Sequence, residues 1–151
     1  MKIARTLKVA LGNAVTYTID NPNCVLIHVC NDRKVMGAGI AKEIREKLPK
    51  AFEVYLDASS ELGTISISDK VVNMVAQSGF RLGRRYDTCY LNYGALAKCL
   101  QQISHIIPTN IEIVLPYNMG ACRAGGDFKI VMQLVTFLLP KHNITMIRLS
   151  E

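Results

Sequence analysis

The chain has 151 residues, half of them hydrophobic and a fifth charged, with a net charge of +6. This composition excludes a disordered chain and suffices for one domain with a real core. No apolar run reaches the roughly 18 residues that cross a bilayer, and Met1–Ala10 has no signal-peptide core, so a soluble, cytoplasmic protein with no membrane partner is expected.

The basic excess suits a partner rich in phosphate, but the Lys and Arg residues are scattered, so nucleic acid is not the expected partner. The five cysteines, Cys24, Cys30, Cys89, Cys99 and Cys122, show no CxxC spacing. Reduced thiols are expected, not disulfides or a zinc site, and neither cofactor nor metal is foreseen.

In chain order, residues 2–9 and 14–18 alternate in polarity and predict two antiparallel strands joined near Gly12-Asn13. Asn21-Pro22-Asn23 predicts a turn, and Cys24–Cys30 reads as a central strand covered on both faces. Ile40, Ile44, Leu48 and Phe52 recur at helical spacing opposite a charged side, which predicts a helix over 38–57 bent at Pro49. Strands are predicted at 63–68 and 70–77, an exposed polar loop at 78–88, and a helix over 90–107. A short buried strand at 111–115 closes at Pro116. A helix over 128–139, capped by Asp127 and ended by Pro140, precedes a last strand at 144–149. With no linker or repeat, residues 1–151 form one domain of three α/β/α layers around a central mixed sheet.

Two glycine-rich stretches carry the functional signal: Met36–Ala41, and Asn118–Asp127. Each follows an apolar run and precedes a helix, an arrangement that turns backbone N–H groups toward phosphate oxygens. Together they suggest a pocket for a diphosphate. Neither is a P-loop, and Met36–Ala41 holds only GxG, which argues against a dinucleotide-dependent dehydrogenase.

Asn31 ends the first central strand, where an amide can meet the hydroxyls of a ribose; it can equally form and cap the turn with Asp32. His28, inside the apolar run, reads as a satisfied core histidine. Asp127 can cap the following helix, activate a water, or do both. Cys122 has no histidine near it in sequence and reads as a small loop filler. Arg81, Arg84 and Arg85 with Tyr86 and Tyr90 form either a lid for phosphate or an RNA end, or a solvated loop.

The run "CVLIHVCNDRKVMGAGIA" at 24–41, with "VVNMVAQ" at 71–77, "YLNYGALAKCL" at 90–100 and "LPYNMGACRAGGDFKIV" at 115–131, resembles the macro domain family. It is similar to the branch of ADP-ribose-1″-phosphate phosphatases and terminal ADP-ribose-glutamate hydrolases, and looks like the stand-alone macro proteins of bacteria and phages. The resemblance implies a pocket for ADP-ribose across the carboxyl edge of the sheet. Asn31 would bond the distal ribose, and Gly37, Ala38, Gly39 and Ile40 would form the first diphosphate loop. Gly120, Ala121, Cys122, Arg123, Ala124 and Gly125 would form the second. Asp127 matches the acidic residue linked to hydrolysis, and Gln77 ends a strand that carries a functional side chain in some relatives.

Two departures stand out. Asn13 replaces the acidic residue that reads the adenine amino group, and an amide oxygen accepts more weakly than a carboxylate. The lysine that attacks the distal ribose in the glutamate hydrolases has no match. The expected activity is hydrolysis of ADP-ribose-1″-phosphate to ADP-ribose and phosphate by Asp127 with Asn31. The alternatives are a non-catalytic reader of ADP-ribose or of ADP-ribosylated protein, and removal of ADP-ribose from modified glutamate or aspartate.

Overall fold

A computed structural model describes residues 5–68, 70–79, 89–121 and 124–149. The described chain runs β1 (Leu7–Leu11), α1 (Ala14–Asp20), β2 (Cys24–Asn31), α2 (Gly39–Lys47), α3 (Pro49–Asp57), β3 (Ile65–Ile67), β4 (Val71–Gln77), α4 (Tyr93–Ile106), β5 (Glu112–Pro116), α5 (Phe128–Leu138) and β6 (Ile144–Arg148). These strands form one sheet in the order β1-β6-β5-β2-β4-β3. All neighbours are parallel except β3, which pairs antiparallel with β4. The sheet is therefore mixed, as expected.

The central strands β2 and β4 are mainly apolar on both faces because helices cover both. Val25 and Ile27 point to the α4–α5 side, where they join Leu96, Leu100, Val131 and Val135. Leu26 and Cys24 point to the other side, with Val15, Ile44 and Ala51 from α1, α2 and α3. Two helical layers thus sandwich the sheet.

Three local expectations are corrected. Residues 14–18 are not a strand but the body of α1. Asn13 has extended backbone (φ −110°) and its Oδ1 accepts from the Thr16 N–H at 2.9 Å, a helix N-cap. Ala14, Val15 and Thr18 then share the buried side, a spacing that also reads as alternation over so short a stretch. Without a hairpin, β1 pairs instead in parallel with β6, Leu7 opposite Ile144. The predicted helix over 38–57 is two helices, broken at Leu48 (φ −130°, ψ 63°), because proline at 49 disfavours helical geometry in the residue before it. The helix predicted from residue 90 starts at Tyr93, where Asn92 accepts from the Ala95 N–H at 2.9 Å. Residues 80–88 of the predicted polar loop lie outside the described residues.

Candidate functional site

The chain leaves β2 toward α2 on one face of the sheet and leaves β5 toward α5 on the other. Because β2 and β5 are neighbours, the two loops part and open a crevice at the carboxyl edge. The crevice is a groove of two adjoining compartments. The inner one, about 620 Å³, is lined by Asn31, Gly37, Ala38, Gln77, Gly120 and Ala124, among others. The outer one, about 820 Å³, is lined by Asn13, Lys42, Glu43 and Arg148. Gly39, Ile40, Pro116, Tyr117, Asn118 and Leu149 belong to both.

The first loop is held by Asn31. Its Oδ1 accepts from the N–H groups of Arg33 (2.9 Å) and Val35 (3.3 Å), while its Nδ2 donates to the Val35 carbonyl at 2.8 Å. This is the turn-forming role, and among the described residues the second Nδ2 hydrogen has no acceptor. Beneath it, the buried Tyr55 donates to Asn31, its hydroxyl lying 2.6 Å from the carbonyl and 3.0 Å from Oδ1. Lys34 has a positive φ of 62°, and its ammonium donates to the carbonyls of Tyr55 and Ala58 at the end of α3. A basic group there suits the negative end of the helix. A register shift between Cys30 and Asn31 sets Asn31 opposite Gln77, whose Nε2 donates to the Gly79 carbonyl at 2.8 Å.

Beyond this loop, Ala38 is the N-cap of α2 but provides no side-chain hydrogen bond. By contrast α1, α4 and α5 are capped by Asn13, Asn92 and Asp127. Among the described residues the opening N–H groups of α2 therefore receive no side-chain cap, at the positive end of a helix whose first residues line the groove. Among the described residues a Cβ on Gly37 would meet only Val35 Cγ1, at an ordinary 3.5 Å, so neither their packing nor a positive φ demands glycine there.

The second loop is governed by packing. Gly126 donates its N–H to Gly120 O at 2.9 Å. A Cβ on Gly126 would lie 2.6 Å from that oxygen and 2.5 Å from Leu91 Cδ2, so this glycine is sterically required. The Asp127 carboxylate accepts from the Lys129 N–H at 2.8 Å and caps α5. Asp127 is exposed and, like Ala121 and Gly125, lines neither compartment. Cys122 and Arg123, with Arg81, Arg84, Arg85 and Tyr86, lie outside the described residues.

Under the inner compartment, His28 is fully buried as expected. Asn73 uses its Nδ2 on Ala51 O (3.0 Å) and Ser66 Oγ (3.1 Å), which fixes its amide and leaves Oδ1 to accept from His28 Nε2 at 2.6 Å. The imidazole is therefore the Nε2–H tautomer. Burial pulls its pKa down from 6.5 to about 4, and burial pushes the adjacent Cys30 thiol up. Neither is poised to act as acid, base or nucleophile at neutral pH.

At the outer end, Asn13 turns its Nδ2 onto Glu43, 2.8 and 3.1 Å from the two carboxylate oxygens, and Lys47 meets Glu43 at 3.0 Å. Tyr117, on the shared wall, is held edge-on by Phe128 with ring centroids 5.0 Å apart. The Arg148 guanidinium lies 4.5 Å from its ring centroid.

No family model and no curated protein matches the sequence. Solved structures do match in fold. A protein of unknown function from Bacteroides thetaiotaomicron superposes with a TM-score of 0.78 at 22% identity, over 97% of this chain and 99% of that one. The macrodomain of Mycobacterium tuberculosis DarG gives 0.70 at 18% identity, over 95% and 97%. Thermosipho africanus DarTG, solved in complex with ADP-ribose, gives 0.67 at 17% identity, over 93% of this chain and 41% of that one. The fold is that of a macrodomain.

Within this macrodomain fold, Asn31, Gly37, Ala38, Gly39, Ile40, Gln77, Gly120 and Ala124 meet in the inner compartment. Sequence reasoning missed Tyr55, Glu43 and Tyr117. Tyr55 and Glu43 sit on helices whose spacing reveals only a buried and an exposed side. Tyr117 adjoins the second glycine stretch, and its position directly after Pro116 was the available signal.

Proposed function

We propose that the groove binds ADP-ribose, with the diphosphate over the start of α2, the distal ribose in the inner compartment and the adenosine in the outer one. The observation that carries this reading is the uncapped N-terminus of α2, where two compartments join. Two adjoining cavities with backbone donors between them suit a ligand of two sugars linked by a diphosphate. The remaining Nδ2 hydrogen of Asn31 would donate to a distal ribose hydroxyl. Gly37 would let the diphosphate approach the backbone, and Gln77, Gly120, Ala121 and Ala124 would wall the ribose. Cys122, Arg123 and Gly125 complete the second loop in this reading. Binding of ADP-ribose by the Thermosipho protein supports the same ligand class.

The reaction we propose is hydrolysis of ADP-ribose-1″-phosphate. A water adds its oxygen to the phosphoryl group, the bond to the sugar oxygen breaks, and that oxygen leaves protonated as the 1″-hydroxyl of ADP-ribose. Asp127 would take the water's proton, using the carboxylate oxygen that accepts no bond among the described residues, and the departing sugar oxygen would take its proton from solvent, to which Asp127 then returns one. The ester would have to project past Gly120 and Ala124 toward the start of α5. A second reading, a reader of free or protein-linked ADP-ribose, is favoured by the exposure of Asp127 and its cap to Lys129. Calorimetry with ADP-ribose tests binding, and phosphate release from the 1″-phosphate separates the readings. Binding without release above an Asp127→Ala control leaves the reader. Absence of binding overturns both.

A further inference from the structure

We propose that the outer edge of β1 is a dimerisation surface, where the strand pairs antiparallel with β1 of a second copy of this chain about a two-fold axis at Val9. This surface is independent of the ADP-ribose reading. β1 ends the sheet, with β6 on one side and nothing from the described residues on the other. The ladder with β6 decides which backbone groups face outward. Thr6 O accepts from the Ile144 N–H, and the Gly12 N–H donates to Arg148 O, each at 2.9 Å. Backbone groups alternate in direction along a strand, so the even-numbered residues turn to β6. Leu7, Val9 and Leu11 therefore present their N–H and C=O groups at the outer edge. Their side chains are 47%, 52% and 58% exposed and lie on one face of the sheet. Ala10 packs on the opposite face, while Met146, in register with Val9, packs on the α4–α5 side. An open edge beside a bare apolar row is a template for pairing.

The strand Leu7-Lys8-Val9-Ala10-Leu11 suits a second copy because it complements itself. With the axis at Val9, that residue meets its own counterpart, Leu7 meets Leu11, and Lys8 meets Ala10. The outward N–H and C=O groups of all three odd-numbered residues then fall in hydrogen-bonded pairs, and their side chains form one continuous apolar row. An axis at Lys8 would set two ammonium groups directly opposite each other, which is destabilising. An axis at Ala10 would bring Leu7 against Asn13, where the chain has left the sheet for the cap of α1. The axis at Val9 leaves the two exposed Lys8 side chains on a diagonal, about 7–8 Å apart at its root. Arg5, the other charge beside the strand, is tied to the carbonyls of Thr136 and Leu139. A two-fold pairing uses both outer edges at once, so the assembly closes at two chains.

The test is sedimentation equilibrium of the whole chain over about a hundredfold range of concentration, where the mass should rise from one chain to two. Val9→Lys sets charge against charge at the axis and should stay monomeric over that range, with a melting curve to show that it is folded. Leu11→Ser trims only the apolar row, is a milder second variant, and should weaken association about tenfold. Lys8→Ala removes the diagonal repulsion and should associate at least as well as the wild type. Amide exchange read by NMR reports on the edge itself. The N–H groups of Leu7, Val9 and Leu11 should exchange at least about tenfold faster in Val9→Lys than in the concentrated wild type, while those of Lys8 and Ala10 stay protected by β6. A wild type that remains monomeric throughout would overturn the proposal. So would association beyond two chains, or a dimer that survives in both folded Val9→Lys and Leu11→Ser.

Discussion

The Tyr55 hydroxyl donates to Asn31, 2.6 Å from its carbonyl and 3.0 Å from its side-chain oxygen. A side chain buried on the inner face of α3 thus sets the position of the loop that opens the groove. Tyr55→Phe removes the donor and leaves the Asn31 carbonyl short of a partner in a buried place. Chemical denaturation should show a loss of about 1–3 kcal/mol. ADP-ribose affinity should fall as well, because the freed Asn31 no longer fixes Arg33 and Val35.

Two glycines on opposite loops should respond in opposite ways to alanine. At Gly126 the added carbon would lie 2.6 Å from a backbone oxygen, so Gly126→Ala should destabilise the fold by about 1–3 kcal/mol. At Gly37 the one neighbour among the described residues is at 3.5 Å, so Gly37→Ala should melt like the wild type. The methyl would nonetheless occupy ligand space, and ADP-ribose affinity should drop about tenfold. Melting curves and calorimetry on both variants check the pair.

Asp127 allows its cap and its chemistry to be separated. Asp127→Ala should cost about 0.5–2 kcal/mol, the usual loss when an N-cap oxygen is removed. Asp127→Asn keeps an oxygen for the Lys129 N–H and should melt near the wild type. If the carboxylate moves a proton, both variants should release phosphate from ADP-ribose-1″-phosphate about a hundredfold more slowly or worse. Normal release by Asp127→Asn would remove Asp127 from the mechanism.

His28 predicts a pH dependence of stability. Its folded pKa is lowered from 6.5 to about 4, so between these values the unfolded chain binds more protons than the folded one. The contribution of the neutral imidazole is complete above about pH 6.5 and is lost as pH falls toward 4. The size is about 3 kcal/mol, from 1.36 kcal/mol per pKa unit. Proton NMR should show the His28 ring neutral at pH 5.5, and urea titrations should weaken between pH 6.5 and 4. A ring that titrates near 6.5 would contradict the buried pair with Asn73.

Much of the fold was legible because the central strands and the amphipathic helices carry long, unambiguous patterns. Cys24–Cys30 is apolar but for His28, and Ile44 faces inward from α2 as its spacing predicts, while Ala51 and Tyr55, outside the predicted stripe, are the buried residues of α3. The error at 14–18 arose where five residues fit both periods and a cap decides between them. That cap, Asn13, stands in the sequence directly before the helix. The glycine loops were legible as a pair, since their neighbours in sequence became neighbours across the crevice. Illegible were contacts between distant segments: Tyr55 with Asn31, Asn13 with Glu43, and Arg148 with Tyr117. No local pattern encodes a partner 24, 30 or 31 residues away.

Tyr117 is one of six residues common to both compartments, and its ring meets Phe128 edge-on and the Arg148 guanidinium. Its consequence for inhibitor chemistry is that each compartment can be addressed by a separate fragment. Two weak fragments, one in each compartment, could be joined by a tether passing over the residues they share. The second would then bind at the high effective concentration set by the tether, and overall affinity would rise without any new contact.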